Sequence, residues 1–100
     1  MKIKYAPRFD RDIANQYAYG VEHFGKRIAA KTYRQTLRHV ETVLANFPDK
    51  GRWSDEVGCR QSNVPKTPFI VFYRHDGDTL EILALFHNAQ DMSGFKVSSG

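Results

Sequence analysis

The most regular set of potentially functional side chains in the sequence is a row of four cations. Its members are Arg27, Lys31, Arg34 and Arg38. Steps of four, three and four residues place side chains on one face of an α-helix. Such a face can contact nucleic acid or an acidic protein partner, or it can simply be solvated. The spacing predicts a cationic helix face and leaves its partner open.

The single cysteine and the absence of metal-ligand spacing narrow the chemistry further. Cys59 has no second cysteine to pair with, and no His/Cys cluster with zinc spacing occurs, so we expect no metal and no cofactor. We interpret Cys59 as a small apolar filler. A lone cysteine favours a reducing compartment, and no apolar run has signal-peptide or membrane-span length. We therefore expect a cytoplasmic protein without membrane contact.

Length and charge limit the organisation of the chain. One hundred residues with 41% hydrophobic residues predict one globular domain over residues 1–100. The net charge is +4, and it is unevenly distributed. Residues 1–53 contain eleven basic and five acidic side chains, whereas residues 54–100 contain four and six. A basic half favours an acidic partner or nucleic acid.

Hydrophobic spacing predicts the first half of the fold. Residues 2–6 alternate as a half-buried strand does, and apolar positions from Phe9 to Phe24 follow a helical period until Gly25. A second helix is predicted from Lys26 to Phe47, because Pro48 cannot continue it. The two helices should form an antiparallel hairpin. The segment 48–56 is predicted as a loop.

The second half is predicted to be sheet. Residues 69–75 and 79–87 are rich in β-branched and aromatic residues, and the Asp76-Gly77-Asp78 segment between them predicts a hairpin turn. A weaker strand is expected near residues 58–64. The predicted class is α+β, with an N-terminal strand, a helical hairpin and a three-stranded antiparallel meander in two layers. The last few residues are expected to be loose.

The order of these pieces resembles the RelE/ParE superfamily of bacterial type II toxins, and more closely its ParE-like branch, sometimes called plasmid stabilisation proteins. No single piece is specific, but the ordered set spans nearly the whole chain. The matching pieces are Ala6-Pro7, Phe24-Gly25, Ala30, Tyr33, Pro48, Gly51, Arg60, residues 68–74, residues 81–83, His87 and Asp91.

The resemblance implies a toxin neutralised by a cognate antitoxin encoded beside it, in a hetero-oligomeric complex. It also implies that promoter DNA is bound only through the complex with the antitoxin. A groove beside a helical hairpin and the free edges of an open sheet suit a docked peptide. The positive net charge suits an acidic partner segment.

Two activities occur in the superfamily, so the resemblance implies two possible targets. RelE-like members cleave mRNA on the ribosome, and ParE-like members inhibit DNA gyrase without cleaving nucleic acid. For a ribonuclease, the catalytic candidates by resemblance are Arg60, Arg74 and His87. The tyrosine often found near this histidine in the nuclease branch is missing, because Asn88 and Ala89 follow His87. This difference favours the gyrase inhibitor over an enzyme.

The resemblance thus favours a gyrase-inhibiting toxin, with an mRNA endoribonuclease and a non-toxic stabilisation module as alternatives. Its target-binding candidates are Arg60, Arg74, His87 and Asp91. The cationic helix face is the candidate contact for antitoxin or nucleic acid. Each candidate also has a structural interpretation: His87 as a hydrogen-bonded strand end, and the two arginines as partners of acidic residues at the sheet margin.

Overall fold

The computed structural model describes residues 1–97. The last few residues, which were expected to be loose, include positions 98–100 and lie outside the described residues. Strand β1 is Lys2–Tyr5 and helix α1 is Pro7–Phe24. Helix α2 is Lys26–Arg38 and continues as a π-helical segment, His39–Leu44. The remaining strands are β2 Arg52–Ser54, β3 Cys59–Asn63, β4 Phe69–His75 and β5 Thr79–His87.

The two helices form the predicted hairpin. Pro7 occupies the first turn of α1, where its missing N–H costs no hydrogen bond. Gly25 adopts a φ of 91°, which most side chains disfavour, and its N–H bonds to the carbonyl of Val21. The chain therefore leaves α1 and enters α2 within one residue.

The predicted end of the second helix at Phe47 is wrong. The α-helix ends at Arg38, and the π-helical segment that follows ends at Leu44, where Ala45 N–H bonds to the Val40 carbonyl. One further helical bond joins Phe47 N–H to the Val43 carbonyl at 2.8 Å. The hydroxyl of Thr42 donates to the carbonyl of Arg38 at 2.7 Å, as the hydroxyls of Thr32 and Thr36 donate to carbonyls four residues earlier within α2. Phe47 lies three residues beyond the π-helical segment and is 63% exposed.

The sheet confirms the α+β class but has five strands rather than the four predicted. Its order is β1-β5-β4-β3-β2, with β1 parallel to β5 and the other pairs antiparallel. Strand β2 lies within the segment predicted as a loop. It lacks an apolar run, and pairing with β3 makes it a strand. The β4–β5 hairpin occurs as predicted, with Gly77 at a φ of 98°.

Two apolar clusters lie on opposite faces of the sheet. The helix-facing cluster joins α1 and the π-helical segment to the sheet through residues such as Phe9, Val40 and Tyr73. The outer cluster contains Phe72 and Phe86, and the C-terminal segment packs on it. Phe95 contacts both of these rings at centroid distances of 5.3 and 5.4 Å. The C-terminal segment up to residue 97 therefore covers the outer face of the sheet.

Candidate functional site

Arg60 lies on β3 and is bound to the loop that follows the helices. It pairs with Tyr73 across the sheet, so both side chains point towards the helical layer. Its guanidinium donates to the carbonyl oxygens of Gly51 at 2.9 Å and Asp49 at 3.2 Å, and it forms an ion pair with the Asp49 carboxylate at 3.3 Å. Arg60 thus holds this loop against the sheet.

The same loop is fixed from β4. The buried hydroxyl of Tyr73 accepts a hydrogen bond from Gly51 N–H at 2.9 Å and donates one to the carbonyl of Pro48 at 2.8 Å. His75 contacts the Asp49 carboxylate through Nε2 at 2.7 Å. This hydrogen bond, with the charges of His75 and Arg60, lowers the pKa of Asp49. We call the loop 48–51 together with Arg60, Tyr73 and His75 the loop clasp.

Arg74 lies at the same end of β4 as the loop clasp but on the outer face. It follows Tyr73 in the strand, so its side chain points away from the helices. Its Nε donates to the carboxylate of Glu81 on β5 at 2.7 Å, and the pair is partly exposed. Both arginines are therefore paired with acidic residues, although on opposite faces.

His87 lies at the opposite end of β4 from both arginines. It pairs with Phe69, whereas Arg60 pairs with Tyr73 and Arg74 lies one residue further on. At about 3.3 Å per residue, His87 is separated from them by about 13–17 Å along the strand. Its Nδ1 accepts a hydrogen bond from Ala89 N–H at 3.1 Å. The structure thus brings Arg60 and Arg74 to one end of the sheet and places His87 at the other.

Asp91 lies in the turn after β5, near His87 in sequence, and is exposed. Its carboxylate accepts a hydrogen bond from Ser93 N–H at 2.9 Å. That bond lowers the pKa of Asp91, because it stabilises the charged form. Asp91 therefore carries a negative charge at neutral pH and orders its own turn.

The four cations of the predicted helix face all lie on α2 and are all exposed. In the described residues 1–97, none of them pairs with a carboxylate, in contrast to Arg8, Arg60 and Arg74. Helix α2 contains no acidic residue. We call this set the cationic ridge.

The groove expected beside the helical hairpin lies between the hairpin and one end of the sheet, and it is apolar; the sequence did not identify the residues that line it. It has a volume of about 300 Å³. Its walls include Phe24, Ile28 and Tyr33, which are 62%, 54% and 38% exposed, and His87 and Phe69 form its sheet side. The available signal was Ile28, an apolar residue outside the stripe that faces the core.

Two further side chains with potential reactivity are buried. Burial, and to a smaller extent the charge of Lys50, lowers the pKa of His39, whose Nε2 lies 2.8 Å from the Ser62 hydroxyl. Burial raises the pKa of Cys59 to about 11, so the thiol stays protonated. Within residues 1–97, no cluster of three His, Cys, Asp or Glu residues is arranged to hold a metal ion, and no helix is both long and apolar enough to cross a membrane.

Comparisons with known proteins agree with this architecture. A solved chain described as "Chromosomal ParDE TA system from P. aeruginosa" has the same fold, with a TM-score of 0.77 and 24% sequence identity. The match covers 87% of this chain and 95% of that chain. Curated protein sequences give no significant match. The family described as "ParE toxin of type II toxin-antitoxin system, parDE" matches residues 3–92. Because that match spans most of the chain, this protein belongs to the ParE toxin family of type II toxin-antitoxin systems.

Proposed function

We propose that this toxin acts by binding DNA gyrase rather than by cleaving RNA. The observation that carries the proposal is the separation of His87 from Arg60 and Arg74 by about 13–17 Å along β4. Cleavage by 2′-hydroxyl attack needs a proton acceptor, a proton donor and phosphate-stabilising cations around a single phosphodiester. The three candidates are too widely spaced to act on one such group.

The bonding of the arginines supports the same proposal. Arg60 is only partly exposed, and its guanidinium is committed to the Asp49 carboxylate and two backbone carbonyls. Arg74 donates to Glu81. An ion-paired guanidinium offers less positive potential to a developing phosphorane than a free one. We propose that Arg60 acts mainly by positioning the loop 48–51, and that Arg74, His87 and Asp91 contact the target protein directly.

Supercoiling by purified gyrase tests the proposal with antitoxin-free full-length protein. We expect supercoiling to be inhibited in proportion to toxin concentration, and Arg74→Ala and Asp91→Ala to weaken inhibition several-fold. Lys66→Asn is the matched control, because Lys66 is exposed and adopts a φ of 64°, which asparagine tolerates.

The same protein should be added to a translating ribosome extract with a defined mRNA. Unchanged supercoiling together with ribosome-dependent cleavage of the mRNA would establish the endoribonuclease alternative. Unchanged supercoiling, intact mRNA and normal growth on induction would establish a non-toxic stabilisation module. Either pattern contradicts gyrase inhibition.

We further propose that the cognate antitoxin inserts an apolar segment into the groove between the hairpin and the sheet. Toxins of this family act with an antitoxin, and the groove exposes Phe24, Ile28 and Tyr33 to solvent. Exposed apolar side chains around a concave surface favour a protein partner. The net charge of +4 favours an acidic segment and accelerates its encounter. We assign sequence-specific binding of promoter DNA to the hetero-oligomeric complex with the antitoxin. We also propose that the toxin is cytoplasmic, because gyrase acts there.

A further inference from the structure

We propose that the cationic ridge of α2 binds the phosphate backbone of duplex DNA without reading its sequence. This contact is separate from promoter recognition, which we assign to the antitoxin complex, and it does not depend on gyrase being the target. The ridge consists of Arg27, Lys31, Arg34 and Arg38.

The geometry of α2 makes the ridge a straight, solvent-facing row. At 100° per residue, its four positions fall within an arc of about 60°. The buried residues Ala29 and Thr36 lie on the opposite side of the same helix. From Arg27 to Arg38 the helix rises about 17 Å. One strand of a duplex carries one phosphate per 3.4 Å of its axis, so the ridge is as long as about five phosphates.

The charge of the ridge is not neutralised within the described part of the chain. Helix α2 has no acidic residue, and the nearest acidic residues in sequence are Glu22 and Glu41. No ridge residue forms an ion pair within residues 1–97, so binding an external anion breaks no ion pair of this part of the chain. Three of the four ridge cations are arginines, whose planar guanidinium binds phosphate through two parallel hydrogen bonds.

The composition of the ridge favours duplex over single-stranded nucleic acid. Proteins that bind single strands place aromatic rings beside the cations, because unstacked bases pack on them. All four ridge positions are cationic, and the only aromatic residue of α2, Tyr33, lines the apolar groove instead. No ridge residue lines the groove, so DNA binding and antitoxin binding are separable by mutation.

Salt-dependent binding to a fluorescein-labelled 20-bp duplex of arbitrary sequence tests the proposal with the full chain. The ridge variant is Arg27→Gln, Lys31→Gln, Arg34→Gln and Arg38→Gln. The matched control removes four exposed cations elsewhere, with Lys2→Gln, Arg11→Gln, Lys66→Asn and Lys96→Gln. Each set lowers the net charge from +4 to zero. Fluorescence anisotropy between 25 and 200 mM KCl gives the dissociation constant and its salt dependence.

For the wild-type chain, we expect the logarithm of the observed association constant, Kobs, to fall linearly with log[KCl]. The slope should be about −3.6, because each of four neutralised phosphates contributes about −0.9. The ridge variant should bind at least tenfold more weakly at 50 mM KCl and lose most of this slope, whereas the control should keep it. The double variant Arg27→Gln/Arg38→Gln should lose about half of the slope, and it preserves the test if the quadruple variant does not fold.

Three results would overturn the proposal. The first is wild-type affinity and slope in the ridge variant. The second is an equal loss in the matched control, because binding would then follow net charge alone. The third is unchanged DNA binding with lost binding of the cognate antitoxin, since the ridge would then be an antitoxin contact.

Discussion

Removing one hydroxyl group from the loop clasp should destabilise the whole protein. The Tyr73 side chain is fully buried, and its hydroxyl connects Gly51 N–H and the Pro48 carbonyl. Tyr73→Phe keeps the ring and its packing but leaves the Gly51 N–H without a partner in a buried position. An unsatisfied buried donor costs about 1–3 kcal/mol, and the lost bond to the partly buried carbonyl about 0.5–1.5 kcal/mol. The expected loss of unfolding free energy is therefore about 2–4 kcal/mol.

Urea denaturation followed by far-UV circular dichroism measures this loss. The melting temperature should fall by at least about 8 °C, since about 1 kcal/mol corresponds to about 4–8 °C in a domain of this size. Tyr33→Phe is the matched control, because Tyr33 is 38% exposed and its hydroxyl makes no hydrogen bond within residues 1–97. That control should change the unfolding free energy by less than about 0.5 kcal/mol.

A double-mutant cycle tests whether the loss arises at this contact. A Cβ on Gly51 would overlap the Tyr73 hydroxyl, so Gly51→Ala should also destabilise the chain. In the Tyr73→Phe background the same change should cost less, because part of the overlap has been removed. A Tyr73→Phe loss below about 1 kcal/mol would refute the described hydrogen bonding, and strictly additive effects in the cycle would refute the close approach of the Tyr73 hydroxyl to Gly51.

Three other perturbations probe the buried histidine, the groove and the C-terminal segment. Burial lowers the pKa of His39, so the imidazole binds a proton more tightly in the unfolded chain than in the folded one. The unfolding free energy should therefore fall as the pH drops below 6.5, the ordinary pKa of histidine. In urea titrations between pH 5 and 7.5, His39→Gln should reduce that fall. Phe24→Glu should weaken antitoxin binding by at least tenfold in isothermal titration calorimetry. Phe47 is equally exposed but lies outside the groove, so Phe47→Glu should leave binding unchanged. Equal effects of the two variants would contradict docking of the antitoxin in the groove. Phe95→Ala should cost about 1–3 kcal/mol of unfolding free energy in urea denaturation, because Phe95 packs on two rings of the outer cluster. Lys96→Ala is its control, and an equal cost in the two variants would show that the packing of Phe95 contributes little.

Several elements could be predicted because neighbouring residues determine them. The turn of the β4–β5 hairpin is an example, since Asp76 Oδ1 accepts the N–H groups of Asp78 and Thr79 and Gly77 supplies the positive φ. The helix junction at Gly25 is another. In both cases the interactions lie within a few positions, so the local sequence contains the information.

The elements that were predicted wrongly depend on distant partners. Strand β2 exists because Arg52–Ser54 pairs with β3, and its own residues contain no strand pattern. The α-helix gives way to the π-helical segment where Val40 and Leu44 pack into the helix-facing cluster against the sheet. Proline at position 48 marks where a helix cannot continue, but not where it ends.

For the candidate site, the sequence by itself determined the residue types, the cationic ridge and the resemblance to a toxin family. Only the tertiary structure decided that Arg60 lies opposite Tyr73 and binds the loop 48–51, and that an apolar groove opens beside His87. Helical periodicity is a property of residues three or four positions apart, so it can be read directly from the chain. Strand register and the walls of a groove depend on residues tens of positions apart, and only packing brings those together.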